Sequence, residues 1–69
     1  MNRMIRWFDS AHLPPDLREV AQPIEALAKQ MDAELPETAE KTAGLRKLLE
    51  AKDCLVRCKI EGRTPSQDR

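Results

Sequence analysis

Four basic residues follow a helical pattern in the segment RKLLEAKDCLVR. They are Arg46, Lys47, Lys52 and Arg57. Ammonium and guanidinium groups bind phosphate through charge-assisted hydrogen bonds, and guanidinium can form two of them at once. We predict that Arg57, which lies among the apolar stripes near the helix end, contacts an anionic ligand; an exposed ion pair with Asp53 is its alternative role. Arg46 and Lys47 are expected to be mainly solvated, while Lys52 is expected to extend its aliphatic stem over leucines with its amine in water.

Trp7 and Phe8 are the only aromatic residues of the chain. An aromatic ring can stack on a nucleobase, or it can act as a hydrophobic plug that covers a small core. Both interpretations stay open for both residues at this point.

Catalysis and metal binding find little support in the residue types. Ser10 and His12 are close in sequence but fall in a predicted loop, and the chain has two glycines and no glycine-rich phosphate loop. Cys54 and Cys58 lie on neighbouring turns of one helix, where side chains run roughly parallel and disulfide geometry is poor. A zinc site needs about four ligands, and His12 is the only histidine. We therefore expect a non-enzymatic protein with no metal or cofactor, in which both cysteines are small buried apolar residues.

Composition limits the partners that the chain can have. It has 69 residues, with 12 basic and 12 acidic side chains. Charge that cancels argues against binding to DNA or RNA polymers or to an anionic membrane. No signal peptide or membrane span is apparent, so we expect a cytoplasmic protein with reduced thiols. A domain this short is marginally stable alone, which favours association with copies of itself.

The first helix is predicted from a stripe of apolar residues at spacings of three and four. The stripe consists of Leu17, Val20, Ile24, Leu27, Met31 and Leu35. Pro14 and Pro15 suit the start of this helix, and Pro36 ends it. Pro23 lies inside the pattern and predicts a kink, or a break into two short helices.

A second, longer helix is predicted from Glu37 or Thr38 to Glu61, with Gly62 as its stop. It carries two adjacent apolar stripes, more than one partner helix can cover. The stripes consist of Leu45, Leu49, Val56 and Ile60, and of Leu48, Ala51, Leu55 and Cys58. The fold class is therefore an all-α helical hairpin, with a short N-terminal arm, a kinked first helix and a long second helix, that assembles into a homo-oligomer. Residues 1–61 form the single domain and residues 62–69 a polar, disordered tail.

The stretch TAGLRKLLEAKDCLVRC resembles the second helix of the helical-hairpin family of phage anti-CBASS and anti-Thoeris sponge proteins. The matching residues are Leu45, Lys47, Leu48, Glu50, Ala51, Arg57 and Cys58. The stretch HLPPDLREVAQPIEALAKQM resembles, more loosely, the first helix of small phage proteins with the same hairpin. The resemblance covers residues 8–60.

This resemblance implies a homo-oligomer, hexameric in the known sponges, that sequesters cyclic oligonucleotide or cyclic ADP-ribose immune signals in the host cytoplasm without cleaving them. The family's N-terminal aromatic maps onto Phe8 or Trp7, and its arginine near the end of the second helix, used for cyclic trinucleotides, maps onto Arg57. The family's first-helix lysine falls near Pro23, so Arg18 is the candidate substitute. The implied ligand is a cyclic di- or trinucleotide.

Two other classes of protein fit parts of the pattern. A small homo-oligomeric interaction module or inhibitor, with Trp7 and Phe8 as anchor residues, requires only the apolar stripes. A nucleic-acid-binding hairpin requires a basic face that this chain barely has.

Overall fold

The fold is a helical hairpin crossed by one short N-terminal segment. The computed structural model describes residues 1–63. A 3-10 helix, η1, spans Arg3–Phe8, followed by α1 at Pro15–Glu34 and α2 at Ala39–Gly62. α1 packs along α2, and η1 packs against both. The predicted all-α hairpin is confirmed, and within the described part of the chain no helix is long and apolar enough to cross a membrane.

Prolines set both ends of α1. Pro14 is the N-cap residue, and Pro15 is the first residue of the helix, where the missing N–H of proline leaves no hydrogen bond unmade. Leu35 is extended, as expected for a residue that precedes a proline. The helix runs through Pro23, whose ring is exposed, so the alternative of two separate short helices is wrong.

α2 begins at a side-chain cap. The Thr38 hydroxyl accepts a hydrogen bond from the Lys41 amide at 3.2 Å, which satisfies one of the free N–H groups of the first turn. At the other end Gly62 does not stop the helix in a left-handed conformation; it belongs to α2, and Arg63 follows as the cap. Apart from these last two residues, the predicted tail at 62–69 lies outside the described residues.

The open ends of the hairpin are tied by a bidentate ion pair. Arg63 donates from Nε and Nη2 to the two carboxylate oxygens of Asp16, at 2.7 and 2.6 Å. These hydrogen bonds lower the pKa of the Asp16 carboxyl and raise the pKa of Arg63. The end of α2 is thereby fixed beside the start of α1.

η1 acts as the lid of the core. The buried apolar cluster consists of Ile5, Phe8, Ala28 and Leu45. Phe8 is fully buried, and Met4, Ile24, Leu48 and Leu49 pack around the cluster. A hairpin of two helices encloses little apolar volume, so a third element that brings an aromatic ring extends the core.

A network of polar side chains, which we call the polar corner, joins η1 to the closed end of the hairpin. It consists of Asn2, Asp32, Glu37, Lys41 and Thr42. The Lys41 ammonium lies 2.9 Å from Asp32 Oδ1 and 2.8 Å from Glu37 Oε1, and it donates to the carbonyls of Asp32 and Leu35. The Lys41 and Asp32 side chains are only 5% and 8% exposed. A nearly buried cation is therefore surrounded by oxygen acceptors, the arrangement that a buried charge requires.

Asn2 connects the start of the chain to this network. Its backbone N–H donates to both oxygens of Asp32, at 3.1 and 3.2 Å. Its side-chain amide donates to Glu37 Oε2 at 2.6 Å and to Thr42 Oγ1 at 2.9 Å, while its Oδ1 accepts from the Met4 amide and caps η1. These bonds hold the predicted arm as a folded part of the domain.

The polar corner predicts how stability depends on pH. Hydrogen bonds from Lys41 lower the pKa of the Asp32 and Glu37 carboxyls, whose ordinary values are 3.8 and 4.5. Carboxylates with a lowered folded-state pKa contribute stability above these values, and the contribution is lost as pH falls through the lower folded-state pKa. We expect the melting temperature to fall below about pH 4.5, and to fall less steeply in Asp32→Asn, as circular dichroism would measure. Parallel profiles for the two proteins would contradict this role for Asp32.

Cys54 and Cys58 are both exposed. The expectation that they are buried is therefore wrong for the single chain. Among residues 1–63, neither α1 nor η1 covers them. The apolar periodicity of α2 could not distinguish the side that carries them from the core side, because both carry small or apolar residues.

Candidate functional site

Cationic side chains and the Trp7 ring line a cleft of about 470 Å³ between η1, the loop that follows it and the C-terminal half of α2. The lining residues are Arg6, Trp7, Asp9, His12, Leu13, Lys52, Asp53, Val56 and Arg57. Because η1 is held down by the core and by the polar corner, residues almost fifty positions apart in sequence meet here. Two of the four predicted ligand-binding residues, Trp7 and Arg57, are among them.

Trp7 supplies the aromatic surface of the cleft. Its side chain is 55% exposed, and the Arg6 guanidinium lies 5.0 Å from the ring centroid, a cation–π distance. One ring is thus combined with one permanent cation on adjacent residues. A nucleobase could stack on the exposed indole while a neighbouring phosphate meets the guanidinium.

Arg57 provides a second permanent cation from the opposite wall. The predicted alternative, an ion pair with Asp53, is absent among the described residues. Arg57 Nη2 instead donates to Cys54 Sγ at 3.3 Å. Sulfur is a weak acceptor, so exchanging this contact for a phosphate oxygen costs little. The exposed guanidinium is therefore free to bind an anion.

The carboxylates of the cleft are already engaged. Asp53 Oδ1 lies 2.8 Å from the Lys52 ammonium, and Asp9 Oδ1 accepts from the Ala11 amide at 3.0 Å. The Lys52 side chain is 12% exposed and its amine pairs with Asp53, whereas the sequence predicted an amine in water. Three permanent cations face two occupied carboxylates, which leaves the cleft locally cationic in a chain without net charge.

Phe8 and Arg18, the other two predicted ligand-binding residues, do not line this cleft. Phe8 is fully buried in the core and presents no ring face to a ligand, because the tight turn of η1 directs consecutive side chains to different sides. Arg18 donates from Nη2 to the Leu13 carbonyl at 3.0 Å, and its Nε is buried without a partner among residues 1–63. Since Leu13 belongs to the cleft wall, Arg18 fixes the loop that carries His12.

Sequence reasoning did not select Arg6, His12 and Lys52 as site residues. Arg6 and His12 flank the predicted aromatic pair, but only tertiary contacts bring their loop against α2. Lys52 carried a usable signal, because it lies five residues before Arg57 and close to the apolar side of the same helix. A cation beside an apolar stripe of a helix can line a binding site that forms at the edge of that stripe.

No known protein family, curated protein or solved structure matches this chain. The chemistry of the cleft therefore has to be interpreted from its own residues. An exposed indole, two exposed guanidinium groups and an imidazole suit a compact ligand that carries an aromatic base and phosphate.

Proposed function

We propose that this protein is a non-enzymatic sponge that binds and sequesters a cyclic oligonucleotide, or a cyclic ADP-ribose type molecule, that serves as an immune signal. The observation that carries the proposal is that Trp7, a candidate for stacking, and Arg57, a candidate for phosphate binding, line one cleft. The resemblance of the second helix to the phage sponge family supports the choice of ligand. In this proposal the protein acts in the host cytoplasm, inhibits CBASS- or Thoeris-like defence, and works as a homo-oligomer, with six chains preferred.

Sequestration requires only binding groups, and the cleft is rich in them. Stacking on one aromatic ring contributes about 1–3 kcal/mol per base, and a hydrogen bond to a charged group about 1.5–3 kcal/mol. Repetition of the cleft around a symmetry axis multiplies the groups available to a ligand with several phosphates. Affinity therefore does not require net positive charge.

A second candidate function is a homo-oligomeric interaction module that binds a protein and no nucleotide. It is favoured by the large apolar side chains exposed on the hairpin, among them Leu27, Leu35 and Leu55. Of the two predicted anchor residues, Trp7 is exposed enough to serve and Phe8 is not. The two functions differ in whether the cationic cleft has a small-molecule occupant.

Native mass spectrometry with a panel of cyclic di- and trinucleotides and cyclic ADP-ribose isomers tests the proposal directly. We expect the wild type to retain at least one of them unmodified and Trp7→Ala to lose it, with an unchanged melting temperature because Trp7 is largely outside the core. Ile60→Ala is the matched control, since it removes an exposed apolar side chain that does not line the cleft. A folded wild type that binds no member of the panel would contradict the sponge proposal and favour the interaction module.

A further inference from the structure

The two faces of the hairpin are unequal. η1 covers one face with Ile5 and Phe8. On the opposite face an apolar groove of about 320 Å³ lies between the two helices, lined by Met31, Leu35, Glu40, Lys41, Gly44, Leu45 and Leu48. Beside it Leu27 is 44% exposed and Leu55 is 50% exposed. A chain of this size leaves such an apolar face open to solvent only at a cost that a partner would recover.

A regular seam runs along α2 on this open face. Its members are Gly44, Leu48, Ala51, Leu55, Cys58 and Gly62, at successive spacings of four, three, four, three and four. This 3.5-residue period is that of a helix that packs lengthwise against another helix. All of these residues are exposed except Leu48, which is half-buried, and a Cβ placed on either glycine would meet nothing within 4 Å. The seam is thus uncovered by the rest of the described chain.

From Gly44 to Cys58, leucine and small residues alternate along the seam, which indicates how it is filled. We propose that a second copy of this chain covers the open face, with the two α2 helices antiparallel about a two-fold axis near Asp53. This register places Leu48 opposite the partner's Cys58, Ala51 opposite the partner's Leu55 and Gly44 opposite the partner's Gly62. Each leucine then faces a small residue, so the helices can approach closely without voids. A parallel pair would instead place Leu48 beside the partner's Leu48 and Leu55 beside the partner's Leu55, which leaves gaps at Ala51 and Cys58 between these bulky layers.

The charges beside the seam agree with the antiparallel register. Lys47 and Glu61 lie on one edge of it, and neither has an ion-pair partner among residues 1–63. Two-fold symmetry brings Lys47 beside the partner's Glu61 and repeats that pair at the other end. In a parallel dimer Lys47 would instead lie beside the partner's Lys52, a pair of like charges. Lys52, on the other edge of the seam, is paired with Asp53 at 2.8 Å. The inference rests on the open face alone and holds whether or not the cleft binds a nucleotide.

The two exposed cysteines distinguish the orientations. Cys54 lies next to the proposed axis on the Lys47 edge, so the two Cys54 thiols of a dimer are close together. Cys58 lies five residues from the axis, which separates the two Cys58 residues by about 15 Å along the helices. A disulfide requires Cα atoms within about 7 Å, so only Cys54 can bridge an antiparallel dimer. In a parallel dimer Cys58, which lies in the seam itself, would bridge.

Mild oxidation of two full-length single-cysteine variants tests the proposal. We expect Cys58→Ser, which keeps Cys54, to form a disulfide-linked dimer at low micromolar concentration. Cys54→Ser, which keeps Cys58, is expected to form only a background amount of linked dimer. Preferential bridging through Cys58, or equal background for both variants, would overturn the antiparallel seam.

Sedimentation of a variant with a charge in the seam tests the same interface without cross-linking. Leu55→Glu is expected to weaken self-association at least tenfold while helicity is retained, because Leu55 is half exposed in the single chain. Ile60→Glu is the matched control, since Ile60 is similarly exposed but lies off the seam. A wild type that sediments as a monomer, or equal association by both variants, would overturn the proposal.

Discussion

Replacement of Lys41 by methionine is expected to lower the melting temperature by about 10 °C or more, although methionine matches the length and apolar stem of lysine. The reason is that the Asp32 carboxylate loses its cationic partner. The Asp32 side chain is 8% exposed, and without Lys41 its charge keeps only the Asn2 amide as a partner. The carbonyls of Asp32 and Leu35 also lose a donor. Loss of one partner from a nearly buried ion pair costs much more than the pair contributes when intact.

Thermal unfolding of three variants checks this explanation. Lys59→Met removes the same charge from an exposed position of the same helix and should leave the melting temperature within a few degrees of the wild type. Addition of Asp32→Asn to Lys41→Met should recover part of the loss, because the orphaned charge is removed. If the double variant is no more stable than Lys41→Met, the loss arises from packing and the polar corner is not held by its charges.

The helices of this protein could be predicted because their signals are local. The stripe from Leu17 to Leu35 marks the apolar side of α1, and Pro15 and Pro36 mark the ends of the helix within one or two residues. Leu17 is buried as the stripe predicts, whereas Leu27 and Leu35 are 44% and 48% exposed. Such spacing reports which side of a helix is apolar. It does not report how many partners that side has, which is why the exposure of Cys54 and Cys58 was missed.

The polar corner could not be predicted because its bonds join distant residues. Asn2 reaches Asp32, Glu37 and Thr42 across 30 to 40 positions of sequence, and no periodicity describes such contacts. One local signal was available. Lys41 precedes Leu45 and Leu48 by four and seven residues, so it lies on the same side of α2. An ammonium group buried on that side requires a hydrogen-bonded or charged partner.

The candidate site was predictable by residue type and only partly by position. Trp7 and Arg57 carry the two chemistries that a nucleotide needs, and the fold places them in one cleft. Phe8 shares the chemistry of Trp7, but in η1 it is a core residue. Whether an aromatic residue faces the core or the solvent depends on the packing of a short segment, which composition does not encode.

Removal of Arg57 is expected to weaken binding of the cyclic oligonucleotide that the wild type binds by roughly 30-fold, about 2 kcal/mol. Among residues 1–63 the Arg57 guanidinium donates only to a sulfur, so it can give its donors to a phosphate, and alanine leaves that phosphate without this charged partner. Stability should barely change, because Arg57 is exposed and has no carboxylate partner among residues 1–63.

Calorimetric titration of the wild type, Arg57→Ala and Arg46→Ala with that ligand decides the role of Arg57. Arg46 is an exposed arginine of the same helix that does not line the cleft, so its loss removes the same charge at a distance from the ligand. A long-range electrostatic effect would weaken binding by similar factors in both variants and would become small at high salt. A direct contact predicts a large loss for Arg57→Ala alone that persists in salt. If Arg57→Ala binds as tightly as the wild type, the cationic residues of α2 form a solvated surface, and the ligand, where one binds, is held elsewhere.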